Sequence, residues 1–163
     1  MVRAGSTVQS NAYAIDQGKR RLREIQVPLR GDILVAVVHP NCRFSTGAMG
    51  DLRNHPLLRG VTIVWLAPVG LHLDYEVLET WDKTHADQPI VLARHAADWP
   101  MIDGWSTPTF YLMRDGNVIA SFSGWPREGN WAQLQALLAK RSVGCIESAA
   151  AEHRDAGKGR SAD

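Results

Sequence analysis

An unbroken apolar run extends from Ile33 to Val38 and includes several β-branched residues. A short run of this kind, bounded by turn-forming residues, is typical of a strand buried on both faces of a sheet. His39-Pro40-Asn41 then interrupts the pattern, and a helix-like segment opens at Cys42. The sequence therefore places Cys42 at a turn between a buried strand and a helix.

Further periodic segments extend this alternation along the chain. Asp115-Gly116 stands between the last two apolar runs, which is a strong signal for a β-hairpin. The pattern predicts an α/β protein with a mixed sheet, helices on both faces and the hairpin at an antiparallel edge. The predicted strands cover 33–38, 61–66, 89–93, 109–113 and 118–122, and the predicted helices cover 12–26, 42–57, 73–85 and 130–141.

The length of 163 residues and the 45% hydrophobic content suit one folded domain with short extensions. We expect a disordered N-terminus over 1–11, a domain over 12–147 and a flexible tail over 148–163. The basic run Lys19-Arg20-Arg21, with Arg23, is expected on the solvated face of the first helix.

Composition argues against several classes of protein. A net charge of +1 gives no general attraction to nucleic acid. No secretory leader pattern or membrane-length apolar stretch is visible, so the sequence reads as cytoplasmic, or as periplasmic if a leader or anchor has been removed. The six histidines lack ligand spacing and no phosphate-binding glycine motif occurs, so neither a metal nor another cofactor is expected.

Three segments together resemble the thioredoxin superfamily, and most closely its bacterial TlpA-like thiol–disulfide oxidoreductases. They are the strand and turn ending at Cys42, the stretch from Thr107 to Leu112, and Asp115-Gly116-Asn117-Val118 leading to Gly124. The resemblance covers about residues 30–140 and implies a thioredoxin-like fold with a helix–strand insertion at 73–93. It also implies that Cys42 is the attacking thiol and that Pro108 is a cis-proline facing it.

The chain departs from that family at three positions. Ser45 stands where a dithiol enzyme carries its second cysteine, which leaves a CxxS motif with one thiol. Asn41 replaces the usual tryptophan, and Ala36 replaces a buried acidic residue. The second cysteine of the chain, Cys145, is expected at the far end of the last helix, about 15 Å or more from the site, as a bystander.

The predicted chemistry depends on the thiolate form of Cys42, which is the nucleophile. A helix N-terminus and the adjacent Arg43 both favour the anion, and Ser45 can donate a hydrogen bond to it. The alternative is that Cys42 is a small buried apolar side chain.

The substrate-binding residues are expected to follow from the proline loop. Thr107 and Pro108 would dock the backbone of an extended partner, although a trans Pro108 could simply begin a strand. Trp105 and Gly124 are predicted to line the same groove. Trp105 and Trp125 could equally be packing residues.

These residues support three functional hypotheses. The first is monothiol thiol–disulfide exchange with a protein thiol or disulfide partner, in which Cys42 attacks a disulfide or an oxidised cysteine of the partner and an external thiol reductant completes the cycle. The second is a non-catalytic binding or chaperone-like module with the same fold. The third is a monothiol glutaredoxin-like glutathione or iron–sulfur protein, because Cys42-Arg43-Phe44-Ser45 echoes the Cys-Gly-Phe-Ser motif of that group.

Overall fold

A computed structural model of the chain describes residues 8–68 and 75–141. The strands are β1 (Gln9–Asp16), β2 (Arg21–Pro28), β3 (Asp32–Val37), β4 (Thr62–Ala67), β5 (Ile90–Ala93), β6 (Thr109–Arg114) and β7 (Asn117–Ser123). The helices are α1 (Arg43–Leu52), α2 (Tyr75–Thr84) and α3 (131–141), with short 3-10 helices at Pro56–Leu58 and Ala96–Asp98. Within this described part, no helix is both long and apolar enough to span a bilayer.

All strands belong to one seven-stranded sheet in the order β2-β1-β5-β4-β3-β6-β7. The central strands β3, β4 and β5 are parallel, and both outer pairs are antiparallel. The predicted α/β fold with a mixed sheet is confirmed, as are the five predicted strands. The predicted insertion at 73–93 corresponds to α2 and β5.

The main error concerns the first predicted helix, 12–26, which is the β-hairpin of β1 and β2. Ala12 and Ile15 have the three-residue spacing of a helix face, but in β1 that odd spacing puts them in opposite core layers. Gly18, with a φ of +78°, marks the turn between the strands. β1 begins at Gln9, inside the segment 1–11 that was expected to be disordered, and residues 148–163 lie outside the described part.

The basic run is likewise part of this hairpin and not of a helix. Lys19 and Arg20 lie in the turn, and Arg21 and Arg23 lie in β2, at the edge of the sheet. All four side chains are exposed, as expected for charged residues beside a turn.

Two apolar layers cover the sheet. The first receives the buried residues of all three α-helices, including Met49 of α1, Leu78 of α2 and Leu134 of α3. The second is closed by the segment that follows β5, which starts with the 3-10 helix Ala96–Asp98 and inserts Trp99. Helical structure on this second face is therefore limited, in the described residues, to that short 3-10 turn.

The helix of the candidate site, α1, is held by a regular apolar stripe. Its buried residues Ser45, Ala48, Met49 and Leu52 recur at the spacing of one helix face. The helix ends five residues before the predicted limit of 57, since Asn54 adopts a left-handed φ of +57° and the chain continues into a 3-10 turn. This packing fixes the helix N-terminus at the end of β3.

Candidate active site

Cys42 is the N-cap residue of α1, at the point where the chain leaves β3 and turns into the helix. Its φ of −91° and ψ of 113° are extended, and its carbonyl accepts the first helical hydrogen bond, from the Thr46 N–H at 2.9 Å. The Cys42 N–H donates to the His39 carbonyl at 3.0 Å, which closes the preceding turn. The side chain is partly exposed, so the thiol is both ordered by the turn and accessible.

Ser45 is fully buried one helical turn after Cys42. Its Oγ accepts a hydrogen bond from the His39 N–H at 3.2 Å. His39 also accepts, at Nδ1, from the Asn41 N–H at 3.0 Å. Burial lowers the pKa of His39, which favours the neutral ring that can accept this bond. The turn before Cys42 is thus held by side chains as well as by backbone.

Pro108 faces this turn from the start of β6. The peptide bond between Thr107 and Pro108 is cis. The thiol of Cys42 donates to the Thr107 carbonyl across 3.7 Å. The Pro108 carbonyl accepts a hydrogen bond of 2.8 Å from the N–H of Gly124, whose φ is +92°. The structure therefore brings Cys42, Ser45, Thr107, Pro108 and Gly124 to one end of the sheet.

A chain of hydroxyl groups, which sequence reasoning missed, holds the proline loop. Thr109 Oγ1 donates to the Ser106 carbonyl at 2.8 Å and lies 2.9 Å from Ser123 Oγ and 3.1 Å from Ser106 Oγ. Thr109 and Ser123 are also paired across β6 and β7. The sequence signal was the presence of hydroxyl residues on each side of Pro108 and at the end of the hairpin.

The pKa of the Cys42 thiol is lowered overall. Burial raises it, but hydrogen bonds to the thiolate outweigh that effect. They come from the side chain and backbone N–H of Ser45, the side chain of Thr107 and the backbone N–H of Phe44. The lowered pKa of Cys42 agrees with the expectation from the sequence. Its main source is the hydrogen-bond donors in the first turn of α1.

Arg43 has a different position from the expected one. Its guanidinium lies 4.7 Å from the centre of the Phe44 ring, and it is not among the groups that lower the pKa of Cys42. The expectation that Arg43 stabilises the thiolate directly is therefore not supported by the hydrogen bonds at the site.

The two tryptophans expected near the site occupy different layers. Trp105 is partly buried and packs against the second core layer. Trp125 is 2% exposed in the first layer, and its Nε1 donates to Asp51 at 2.8 Å. Trp125 also forms part of the floor of a cavity beside Arg43 and Phe44, so it is a packing residue that reaches the neighbourhood of the site.

Two remaining expectations concern groups outside this site. Among residues 8–68 and 75–141, no cluster of three or more His, Cys, Asp or Glu side chains could hold a metal ion. Cys145, the expected bystander, lies outside the described residues.

Solved structures with the same architecture are found at low sequence identity. StoA from Bacillus subtilis matches with a TM-score of 0.53 and 15% identity, over 74% of this chain and 91% of that protein. A secreted Mycobacterium tuberculosis disulfide oxidoreductase, homologous to E. coli DsbE, matches with a TM-score of 0.53 and 13% identity, over 84% and 99%. A thioredoxin-like protein from Porphyromonas gingivalis matches with a TM-score of 0.52 and 9% identity, over 81% and 88%.

Sequence comparison adds no relative to these structural matches, because no protein-family model and no curated protein matches the chain. The fold is therefore identified by its architecture. A parallel β3-β4-β5 core continues into an antiparallel β6-β7 pair, and a helix starts beside Cys42. With the matches above, these features establish that the chain has the thioredoxin-like fold.

Proposed function

We propose that this protein carries out monothiol thiol–disulfide exchange through Cys42 on a partner protein. The observation that carries the proposal is the setting of the Cys42 thiol. It lies partly exposed at the N-terminus of α1, 3.7 Å from the Thr107 carbonyl, with hydrogen bonds that lower its pKa. A lowered pKa raises the fraction of thiolate at neutral pH, and thiolate is the form that attacks.

The reaction begins when the Cys42 thiolate attacks one sulfur of a partner disulfide. A new bond forms between Cys42 Sγ and that sulfur, the original S–S bond breaks, and the other partner sulfur leaves as a thiolate that takes a proton from solvent. The step involves no net oxidation or reduction, because one disulfide bond replaces another. The immediate product is a mixed disulfide between the two proteins.

Ser45 determines how the mixed disulfide is resolved. In a dithiol enzyme a second thiolate at this position would displace the partner, whereas the Ser45 hydroxyl cannot form a disulfide. An external thiol must therefore attack the mixed disulfide and release the Cys42 thiolate. The neighbour from M. tuberculosis, a disulfide oxidoreductase with the same fold, supports this general type of chemistry.

The proline loop provides a place for the partner backbone. Within the described residues, no backbone hydrogen bond occupies the N–H of Thr107, and Thr107 is partly exposed. An extended partner segment could pair with this residue in the manner of an added strand. Gly124, bonded to the Pro108 carbonyl, would support the loop from the other side.

Trapping of the mixed disulfide tests the proposal. A Cys145→Ser variant is incubated with a cysteine-containing peptide disulfide and analysed by mass spectrometry, with Cys42→Ala in the same background as the control. The expected result is a peptide adduct on Cys42 that an added thiol such as glutathione removes. Absence of the adduct, with the thiol free and the protein folded, would contradict exchange.

The second candidate is the non-catalytic binding or chaperone-like module. It is favoured by one observation, the complete burial of the Ser45 hydroxyl in a bond to the His39 N–H, which leaves no second reactive group beside Cys42. A module of this kind would bind partner peptides equally well after Cys42→Ala. The exchange protein would lose the covalent complex.

The third candidate, a glutaredoxin-like glutathione or iron–sulfur protein, has weaker support. The corresponding stretch after the hairpin is engaged in internal contacts: Ser123 with Thr109, the Gly124 N–H with Pro108, and buried Trp125 with Asp51. The backbone and side-chain groups that would hold glutathione there are therefore already occupied in part.

A further inference from the structure

We propose that a cavity beside Cys42 selects partners that carry a carboxylate side chain, Asp or Glu, close to their reactive cysteine. This inference rests on the proposed exchange function and specifies the class of partner for the same thiol. The cavity has a volume of about 350 Å³ and lies between α1 and the segment that follows β7. Its lining includes Arg43 and Phe44, the two residues directly after Cys42.

The cavity combines an apolar floor with a cationic rim. Trp125 and Pro126 contribute apolar surface from one side, and Phe44, 43% exposed, contributes it from the other. Arg43 and Arg127 both line the cavity, and both are exposed. Such a lining suits a side chain with methylene groups and an anionic end, because the methylenes contact the rings while the carboxylate meets guanidinium groups.

The two arginines are available for a ligand, in contrast to several arginines elsewhere in the fold. Five others form ion pairs within the protein: Arg20, Arg21, Arg53, Arg94 and Arg114. Neither Arg43 nor Arg127 forms a salt bridge with any residue that the structure describes, and Arg43 is held only against the Phe44 ring. Within the described residues, neither guanidinium is therefore engaged in an ion pair at the rim.

One acidic group also lines the cavity. The Asp51 carboxylate accepts a hydrogen bond from the Trp125 Nε1 at 2.8 Å, so it is directed to the floor and fixes the indole there. Two guanidinium charges against one carboxylate leave the cavity net positive. This net positive charge would repel a cationic partner side chain, and we expect the cavity to disfavour it.

The position of the cavity beside Cys42 allows its positive charge to influence which partners react. Arg43 and Phe44 follow the attacking thiol directly, so a partner cysteine bonded to Cys42 places its own neighbouring residues near the cavity. Attraction between the two arginines and an acidic partner residue would act on the encounter of the two proteins and also on the mixed disulfide. The selected partners are therefore proteins in which a cysteine has an acidic residue within a few positions.

The test measures the second-order rate of mixed disulfide formation with two peptide disulfides that are identical except for Glu or Gln beside the cysteine. The protein is the full chain with Cys145→Ser. We expect a faster reaction with the Glu peptide at low ionic strength. Arg43→Gln and Arg127→Gln should each reduce the Glu-to-Gln rate ratio about two- to fivefold, the range for exposed charge pairs. High salt should reduce it in the unaltered protein.

The ratio separates recognition from chemistry, because any change in the pKa of Cys42 affects both peptides equally. Arg23→Gln removes an exposed charge from β2, at the far edge of the sheet, and should leave the ratio unchanged. Arg127→Lys, which keeps the charge, should retain part of the preference. Equal rates with the two peptides would overturn the inference while exchange stands. Reaction with neither peptide would contradict the exchange function, and this inference with it.

Discussion

The Ser45 hydroxyl accepts a hydrogen bond from the His39 N–H at 3.2 Å, and the same residue makes the largest contribution to lowering the pKa of Cys42, so one buried side chain acts on both the turn and the thiol. Where a dithiol enzyme would carry its second sulfur, this protein carries a hydroxyl that orders the turn and stabilises the thiolate. Under the proposed function, such a site would form a mixed disulfide with the partner and leave its resolution to an external thiol.

Cys42 should titrate below the ordinary thiol value of 9.0. Iodoacetamide alkylation of the Cys145→Ser variant, measured as rate against pH, is expected to give a midpoint below that value, because Ser45, Thr107 and Phe44 donate to the thiolate. A midpoint at or above 9.0 would show that burial outweighs the donors.

The same lowering makes the free energy of unfolding depend on pH. The folded thiol has a lower pKa than the unfolded one, so its stabilising contribution is complete above the unfolded pKa and is lost as pH falls through the folded pKa. The difference in urea unfolding free energy between the protein and Cys42→Ala should therefore grow between pH 6 and pH 9. A difference that shrank over this interval would reverse the assigned direction.

Ser45→Ala should raise the pKa of Cys42 and slow alkylation. The thiolate fraction at pH 7, and with it the alkylation rate, is expected to fall roughly tenfold or more, since a hydrogen bond to a charged group contributes about 1.5–3 kcal/mol. The His39 N–H also loses its acceptor, which should lower the free energy of unfolding by about 1–2 kcal/mol. Thr46→Ala is the matched control, because that hydroxyl donates to the Arg43 carbonyl and not to sulfur. Equal slowing in both variants would exclude a specific role for Ser45.

Ser45→Cys should supply the missing second thiol. Cys42 is the N-cap of α1 and residue 45 lies one helical turn after it, so oxidation is expected to form a disulfide between the two positions. The variant should then reduce insulin faster than the unaltered protein or Ser45→Ala. Mass spectrometry of the oxidised, digested variant checks the bond. Failure to form it would show that the two side chains do not approach closely enough.

Gly50→Ala should stabilise the protein. Gly50 lies in α1, and an added Cβ would meet no heavy atom within 4 Å, so alanine gains helix propensity of about 0.5–1 kcal/mol. Gly116→Ala provides the contrast, because that residue has a φ of +79° and an added Cβ would clash with Val8 Cγ1. Thermal unfolding should show a higher midpoint for the first variant and a lower one for the second. The opposite order would contradict the backbone conformations at these positions.

The parts of the fold that the sequence predicted well are those in which one local signal dominates. The apolar run of β3 and the Asp115-Gly116 turn are each consistent with one type of structure. The prediction of a helix over 12–26 is wrong for a reason that the local pattern does not display. Ala12 and Ile15 are three residues apart, as on a helix face, and only tertiary packing separates them into two layers. Gly18 was the available local signal for a turn.

In the candidate site, too, some residues could be predicted from the sequence and others could not. Cys42, Ser45 and Pro108 stand out in the sequence because each residue type is unusual at its place in the pattern. The role of Thr109 and Ser123 depends on the register of β6 against β7, which a single sequence does not display. The cavity that Arg43 and Arg127 line also depends on how the chain turns after β7, and the two residues are too far apart in sequence for a local pattern to predict it.

The hairpin at the start of the domain also affects how separate molecules meet. It makes β2, and not β5, the outermost strand on this side of the sheet, with Arg21 and Arg23 exposed along it. An unpaired strand edge invites pairing with another chain, and charged side chains on such a strand oppose that pairing. The basic run therefore acts as a barrier to edge-to-edge aggregation, a property set by its position on the outermost strand.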